Sequence, residues 1–188
     1  MTALKIFEEN NPKTPIFNSD DVANDRDRVD KIIDHLNQVG VKFERWQTHQ
    51  HIGLGATQEE VLDGYKDDVQ RLICESGYQA VDVVSLTEDN PDKVAFRQKF
   101  LAEHTHGEDE VRFFVAGEGL FSLHLNNQVF EVLCTKGDLI GVPRNTPHWF
   151  DMGENPNFIA IRLFNNPQGW VAHFTGSDIA TRFSRLEN

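Results

Sequence analysis

The densest chemistry in this chain lies in residues 103–119, EHTHGEDEVRFFVAGEG. In a β-strand, residues i and i+2 share a face, so His104 and His106 project into the same space. Gly107 signals a turn, and Glu110 opens the following strand. Two imidazoles and a carboxylate in this arrangement can occupy one side of a divalent metal ion, with nitrogen and oxygen donors suited to a first-row transition metal.

A second segment, GDLIGVPRNTPHWFDMG at residues 137–153, supplies a strand, a proline-bounded turn and then His148. Together the two segments resemble the cupin signature, G-x5-H-x-H-x3-E-x6-G followed by G-x5-P-x4-H. Glu110 is followed by Gly117, and Gly137 precedes Pro143, at the cupin spacings. The first glycine of the motif is replaced by Gln98. Asn145 stands at a second glycine position, and it too tolerates the left-handed conformation that a turn requires. Met152 stands where the motif has asparagine. None of these departures removes a ligand. The resemblance implies one divalent ion on His104, His106, Glu110 and His148. A metal-free barrel lined by the same residues would carry a heavy desolvation cost for the glutamate. Three histidines and a carboxylate leave two positions of a six-coordinate ion open, unlike a closed structural zinc site. The ligands alone accept iron, nickel, manganese or cobalt.

Cupins host many reactions, but more of the chain is specific. HTHGEDEVRFFVAGEGLFSLH, VLCTKGDLIGVPRNTPHWFDMG and IRLFNNPQGWVAHFTG closely resemble the acireductone dioxygenase family of methionine salvage, over roughly residues 80–175. The resemblance implies cleavage of 1,2-dihydroxy-3-keto-5-methylthiopentene by dioxygen. With Fe(2+) the products are 2-keto-4-methylthiobutyrate and formate. With Ni(2+) they are 3-methylthiopropionate, formate and carbon monoxide. The alternatives are another cupin dioxygenase with a different enolate or thiol substrate, and a non-catalytic cupin that binds a metal or small ligand.

Two open metal positions suit chelation of an enediolate, and fixed cations nearby would stabilise its charge. Arg112 lies two residues after Glu110 and should share its inward face. It matches a family arginine that contacts substrate oxygens. Arg162, in AIRLF, matches a second one more loosely, with a structural ion pair as the competing role. The thioether tail requires an apolar wall; Phe100 and Phe150 match aromatic positions of the family pocket, and Trp170 in PQGWVAHF is expected to close the site from the C-terminal segment. Ordinary core packing is the competing role for each. Glu103 alternates away from the ligand face. His49 and His51 repeat the H-x-H spacing without a following carboxylate, and His35, His124 and His173 read as solvated or structural.

These residues need a scaffold. From residue 80 onward the hydrophobic period is two, giving expected strands at 81–86, 96–104, 110–116, 119–125, 128–134, 138–142, 148–152 and 157–163. Asn126–Asn127 reads as a two-residue hairpin turn. A further edge strand is expected at Leu4–Phe7. Before residue 80 the period is helical over 20–40, with Gly40 as the stop. It is helical again from 57, where Thr57 and Glu60 form a capping box, to Gly77. The layout predicts a mainly β, cupin-type double-stranded β-barrel, or jelly roll, with about two flanking α-helices in the N-terminal third. One domain is expected over 1–188, with a helical part to 80, a barrel core over 81–175 and a tail over 176–188.

The bulk numbers are compatible. The chain has 188 residues, 39% hydrophobic and 26% charged, and most of its 14 phenylalanines fall after residue 95. A formal charge of −12 argues against nucleic acid and anionic membranes as partners, since both need a cationic footprint. The first residues lack an apolar core of signal-peptide length, and Cys74 and Cys134 form no CxxC pair. The expectation is a cytoplasmic monomer acting on a small molecule and dioxygen.

Overall fold

The computed structural model describes residues 1–48, 52–166 and 171–187. Twelve strands among them form two antiparallel sheets. Their ranges are β1 Ala3–Glu8, β2 Phe17–Asn18, β3 Lys42–Arg45, β4 Ala80–Leu86, β5 His104–Thr105 and β6 Glu110–Ala116. The series continues with β7 Glu118–Leu125, β8 Gln128–Thr135, β9 Asp138–Val142, β10 His148–Asp151, β11 Phe158–Phe164 and β12 His173–Phe174. The seven-stranded sheet has the order β12-β5-β10-β7-β8-β1-β2, and the five-stranded sheet β3-β9-β6-β11-β4. The expected barrel is thus a jelly roll of two facing sheets rather than a single closed cylinder.

Alternation along the strands sorts the side chains into layers. Phe114, Phe121, Phe130, Phe150 and Phe158 point between the sheets and build the main core. Phe113, Ile161 and Leu163 point outward from the five-stranded sheet and are covered by helices. Trp149 points outward from the other sheet, beneath Phe183 of the C-terminal tail.

Four α-helices are present among the described residues: α1 Asp25–Gln38, α2 Gln58–Gly64, α3 Lys66–Ser76 and α4 Lys93–Leu101. The capping box at Thr57 and Glu60 starts α2, as its sequence predicts. The single helix expected to Gly77 is broken at Tyr65 (φ −112°, ψ 20°) into α2 and α3, and Gly77 closes α3 in the left-handed conformation. The first helix starts at Asp25, capped by Asn24, rather than at residue 20.

The expected strand over 96–104 is overturned. Residues 93–101 form α4, and only His104–Thr105 are strand. Phe96 and Phe100 are one helical turn apart rather than members of a period-two run. No residue of α4 is fully buried, so burial imposes little helical periodicity on its sequence. Asn126 and Asn127 both have positive φ between β7 and β8 (54° and 61°), as a type I′ hairpin requires. Asn145 adopts φ 62° at its motif glycine position.

Candidate metal centre

β5 and β10 are hydrogen-bonded neighbours, and His104 pairs with His148 across them. His106 follows two residues after His104, and Glu110 opens β6 of the opposite sheet. All four are buried, with at most 6% exposure. One ligand atom from each of His104, His106 and His148 lies within 4.8 Å of the others.

The outer nitrogen of each ring is engaged by backbone. Nδ1 of His104 donates to the Ala102 carbonyl (2.8 Å), Nδ1 of His148 to that of Thr146 (2.8 Å), and Nδ1 of His106 to that of Val171 (3.2 Å). A carbonyl accepts only, so these contacts fix the proton on Nδ1 and leave the Nε2 lone pairs of the neutral rings facing one another. Burial favours that neutral form: the pKa of His104 is pushed down to about 4 by desolvation, then by His148. Burial lowers His106 as well.

Glu110 completes the cluster. Its Oε2 lies 3.0 Å from Nε2 of His148 and 3.4 Å from Nε2 of His106, and Arg112 Nη2 is 2.6 Å from its Oε1. Burial alone would raise this carboxyl, but Arg112 and the histidines hold it well below the usual carboxylate range. A carboxylate oxygen facing two acceptor nitrogens needs a proton or a cation between them. Three imidazoles, one carboxylate and a dry surround fit a divalent transition metal better than they fit one another.

Arg112 separates this cluster from a cavity of about 310 Å³, whose wall it also forms with Arg162, Phe100, Phe150, Met152 and Phe158. The Arg112 guanidinium lies 4.9 Å from the Phe150 ring centroid, 5.3 Å from that of Phe121 and 6.0 Å from that of Phe100. Gly119 leaves room for this aromatic wall, since a Cβ there would come within 2.5 Å of the Phe150 ring. Arg162 is the cross-strand partner of Arg112, and its guanidinium clasps both carboxylate oxygens of Asp82 (2.7 and 2.5 Å). The ion pair considered for Arg162 therefore exists, on a side chain that also reaches the cavity. Phe100 lines the cavity as expected, although it does so from α4. Trp170, His49 and His51 lie outside the described residues.

Glu103 faces away from the ligands, as its alternation implies. Its carboxylate accepts from Thr175 Oγ1 (2.5 Å) and contacts Nδ1 of His124 (2.8 Å), whose Nε2 meets Glu9 (2.9 Å). This chain of contacts ties β12 and the segment after it to the ligand-bearing edge strand β5. The Val171 carbonyl that orients His106 belongs to the same C-terminal segment. Backbone carbonyls leave no side-chain signature, so the sequence gives no hint of this contact.

The model of the ARD/ARD′ family matches residues 13–172. The chain belongs to this family. Its similarity to ARD relatives extends over nearly the whole length. It is 63% identical over 151 residues to the acireductone dioxygenase of Alcanivorax borkumensis, covering 80% of this chain and 83% of that one. To that of Klebsiella pneumoniae it is 53% identical over 186 residues, covering 99% of both. Among solved structures, acireductone dioxygenase from Bacillus anthracis with a cadmium ion in its active centre superposes with a TM-score of 0.78 at 31% identity. That match covers 93% of this chain and 98% of the other.

Proposed function

We propose that the protein is a metal-dependent acireductone dioxygenase of bacterial methionine salvage, working in the cytoplasm, with His104, His106, Glu110 and His148 as ligands of Fe(2+) or Ni(2+). The observation that carries the reading is the convergence of three imidazole edges, each fixed from behind by a backbone carbonyl, with two of them meeting the carboxylate of Glu110. The ARD/ARD′ family match and the full-length likeness to acireductone dioxygenases supply the substrate class. A bound ion would supply Lewis acidity toward the adjacent oxygens of an enediolate.

The chain's own residues do the rest. Arg112, fixed by Glu110 on one side and by aromatic rings on the other, presents positive charge to the substrate's anionic oxygens in a site of low dielectric. Arg162 adds a second, weaker cation at the same end of the cavity, since Asp82 already neutralises most of it. Phe100 and Phe150 enclose the thioether tail and exclude water. Iron loading gives 2-keto-4-methylthiobutyrate and formate. Nickel loading gives 3-methylthiopropionate, formate and carbon monoxide.

The test is dioxygen uptake by iron-reconstituted protein on addition of anaerobically prepared acireductone, with products identified for each metal. Uptake no faster than the uncatalysed oxidation would refute the assignment.

A further inference from the structure

β10 and its extension place three side chains in line: His148, Phe150 and Met152 alternate onto the face between the sheets, while Trp149 points the other way. The line begins at a candidate ligand and passes the ring that Arg112 covers at 4.9 Å. It ends at a methionine that is 2% exposed and lines the cavity. Leu86 and Phe158, cross-strand partners in β4 and β11, are buried at the same end. Arg112 and Arg162, cross-strand partners two rows away, form the opposite end. The cavity therefore has two arginines toward the metal cluster and apolar side chains at the Met152 end, with Lys99 contributed separately by α4.

We propose that Met152 is a specificity-determining residue, the end wall that sets the length of the tail an enediol substrate can carry. The inference rests on the enediol reading given above. A substrate whose oxygens are held at the arginine end extends its apolar tail past Phe150 toward Met152, Leu86 and Phe158, the apolar part of the lining. Two of these three walls are rigid: Phe158 packs at 5.9 Å against the Phe150 ring, and Leu86 is fixed in the β4–β11 ladder. Met152 follows the last residue of β10, and its unbranched side chain fills whatever space the tail leaves. The sequence is consistent with such a role. The cupin motif has asparagine here, and a polar amide at this depth would face apolar atoms.

The experiment measures kcat/KM from dioxygen uptake by the iron-reconstituted protein. The substrates are 1,2-dihydroxy-3-keto enediols whose unbranched thioether tails are lengthened by one, two and three methylenes. A methylene beyond what an apolar pocket holds changes kcat/KM by about 10- to 200-fold. In the wild type, kcat/KM should fall about 10-fold or more at the first added methylene. Met152→Ala should lower kcat/KM for the native tail and raise it for the longer tails, reversing the preference. Met152→Val, which removes less volume, should give an intermediate profile and provides the same readout should the alanine variant fold poorly. Iron content and thermal midpoint of each variant accompany the rates.

If both variants keep their iron and activity but retain the wild-type order and ratios among tails, the gauge is overturned and the enediol reading survives. An equal loss for every tail with iron retained also overturns it, because a packing defect lacks length dependence. Absence of turnover with every enediol in the wild type overturns the enediol reading, and this inference with it.

Discussion

Arg112 and Glu110 are two residues apart on one face of β6, and their side chains meet at 2.6 Å with both 3–6% exposed. Few arrangements tie a candidate ligand so tightly to a candidate catalytic cation. Removing the cation therefore has two separable effects. Arg112→Ala should retain one metal ion per chain and lose about 100- to 1000-fold in kcat, the range for removing a fixed charge-stabilising donor. Its metal-free form should also lose about 3–5 kcal/mol of stability, because Glu110 is left buried and unpaired. Metal analysis, steady-state kinetics and denaturant unfolding with and without chelator test the pair of effects together. Near-normal turnover would remove Arg112 from the chemistry.

His104→Ala is the complementary case. His104 lies at the junction of β5 and β10, and its loss deletes one of three converging nitrogens. Metal content and activity should both disappear. The thermal midpoint, which in the wild type should rise on adding metal by mass action, should cease to respond. A variant that still takes up a stoichiometric ion would show that His104 is not a ligand.

The nearness of His104, His106 and Glu110 was legible because it needs only strand alternation and the turn at Gly107. Arg112 was legible for the same reason. His148 came instead from the resemblance to the cupin signature, and the structure gathers its side chain with those of the other three. Most strands from β6 to β11 followed from the period-two pattern, and the Asn126–Asn127 turn from the tolerance of asparagine for positive φ. Residues 93–101 were misread because α4 lies half-exposed at the mouth of the cavity, where Phe96 and Phe100 face a pocket instead of a core. A helix that buries no residue fully carries little amphipathic period. β3 escaped because its alternation spans only four residues, of which Phe43 alone is buried. The orientation of His106 by the Val171 carbonyl depends on a chain reversal that no local pattern encodes.

Arg97 and Asp151 make a further prediction. Arg97 of α4 grips the carboxylate of Asp151 with Nε and Nη2 at 2.7 and 3.0 Å, and Asp151 also accepts from the backbone N–H groups of Gly153 and Leu186. This half-buried node joins α4, the end of β10 and the C-terminal tail. Burial opposes ionisation of Asp151, but Arg97 and the two N–H groups outweigh it and lower the pKa. Its stabilising effect is present above the ordinary value of 3.8 and is lost as pH falls through the lowered one. Arg97→Ala should cost about 1–3 kcal/mol at neutral pH, because the buried Asp151 carboxylate then keeps only its two backbone donors. Chemical denaturation measures it, and a loss under 1 kcal/mol would make the node incidental.

Glu131 behaves in the opposite sense. It is 4% exposed on the outer face of the seven-stranded sheet and accepts a hydrogen bond from the Ser184 N–H of the tail at 2.8 Å. Burial raises its pKa above the ordinary 4.5 despite that bond. A raised folded-state pKa means full stabilisation below 4.5 and progressive loss as pH rises through the folded value. Glu131→Gln should therefore match the wild type near pH 4.5 and become the more stable of the two as pH increases. Thermal midpoints of the two proteins across that interval test the sign, and parallel curves would contradict it.

His104, His106 and His148 are held by one sheet and its flanking loops, whereas Glu110 belongs to the other. A cation gripped by all four is then a rivet through both layers of the sandwich. The sheets must face each other before such a rivet can be set, so an ion held this way would report the assembly of the whole sandwich.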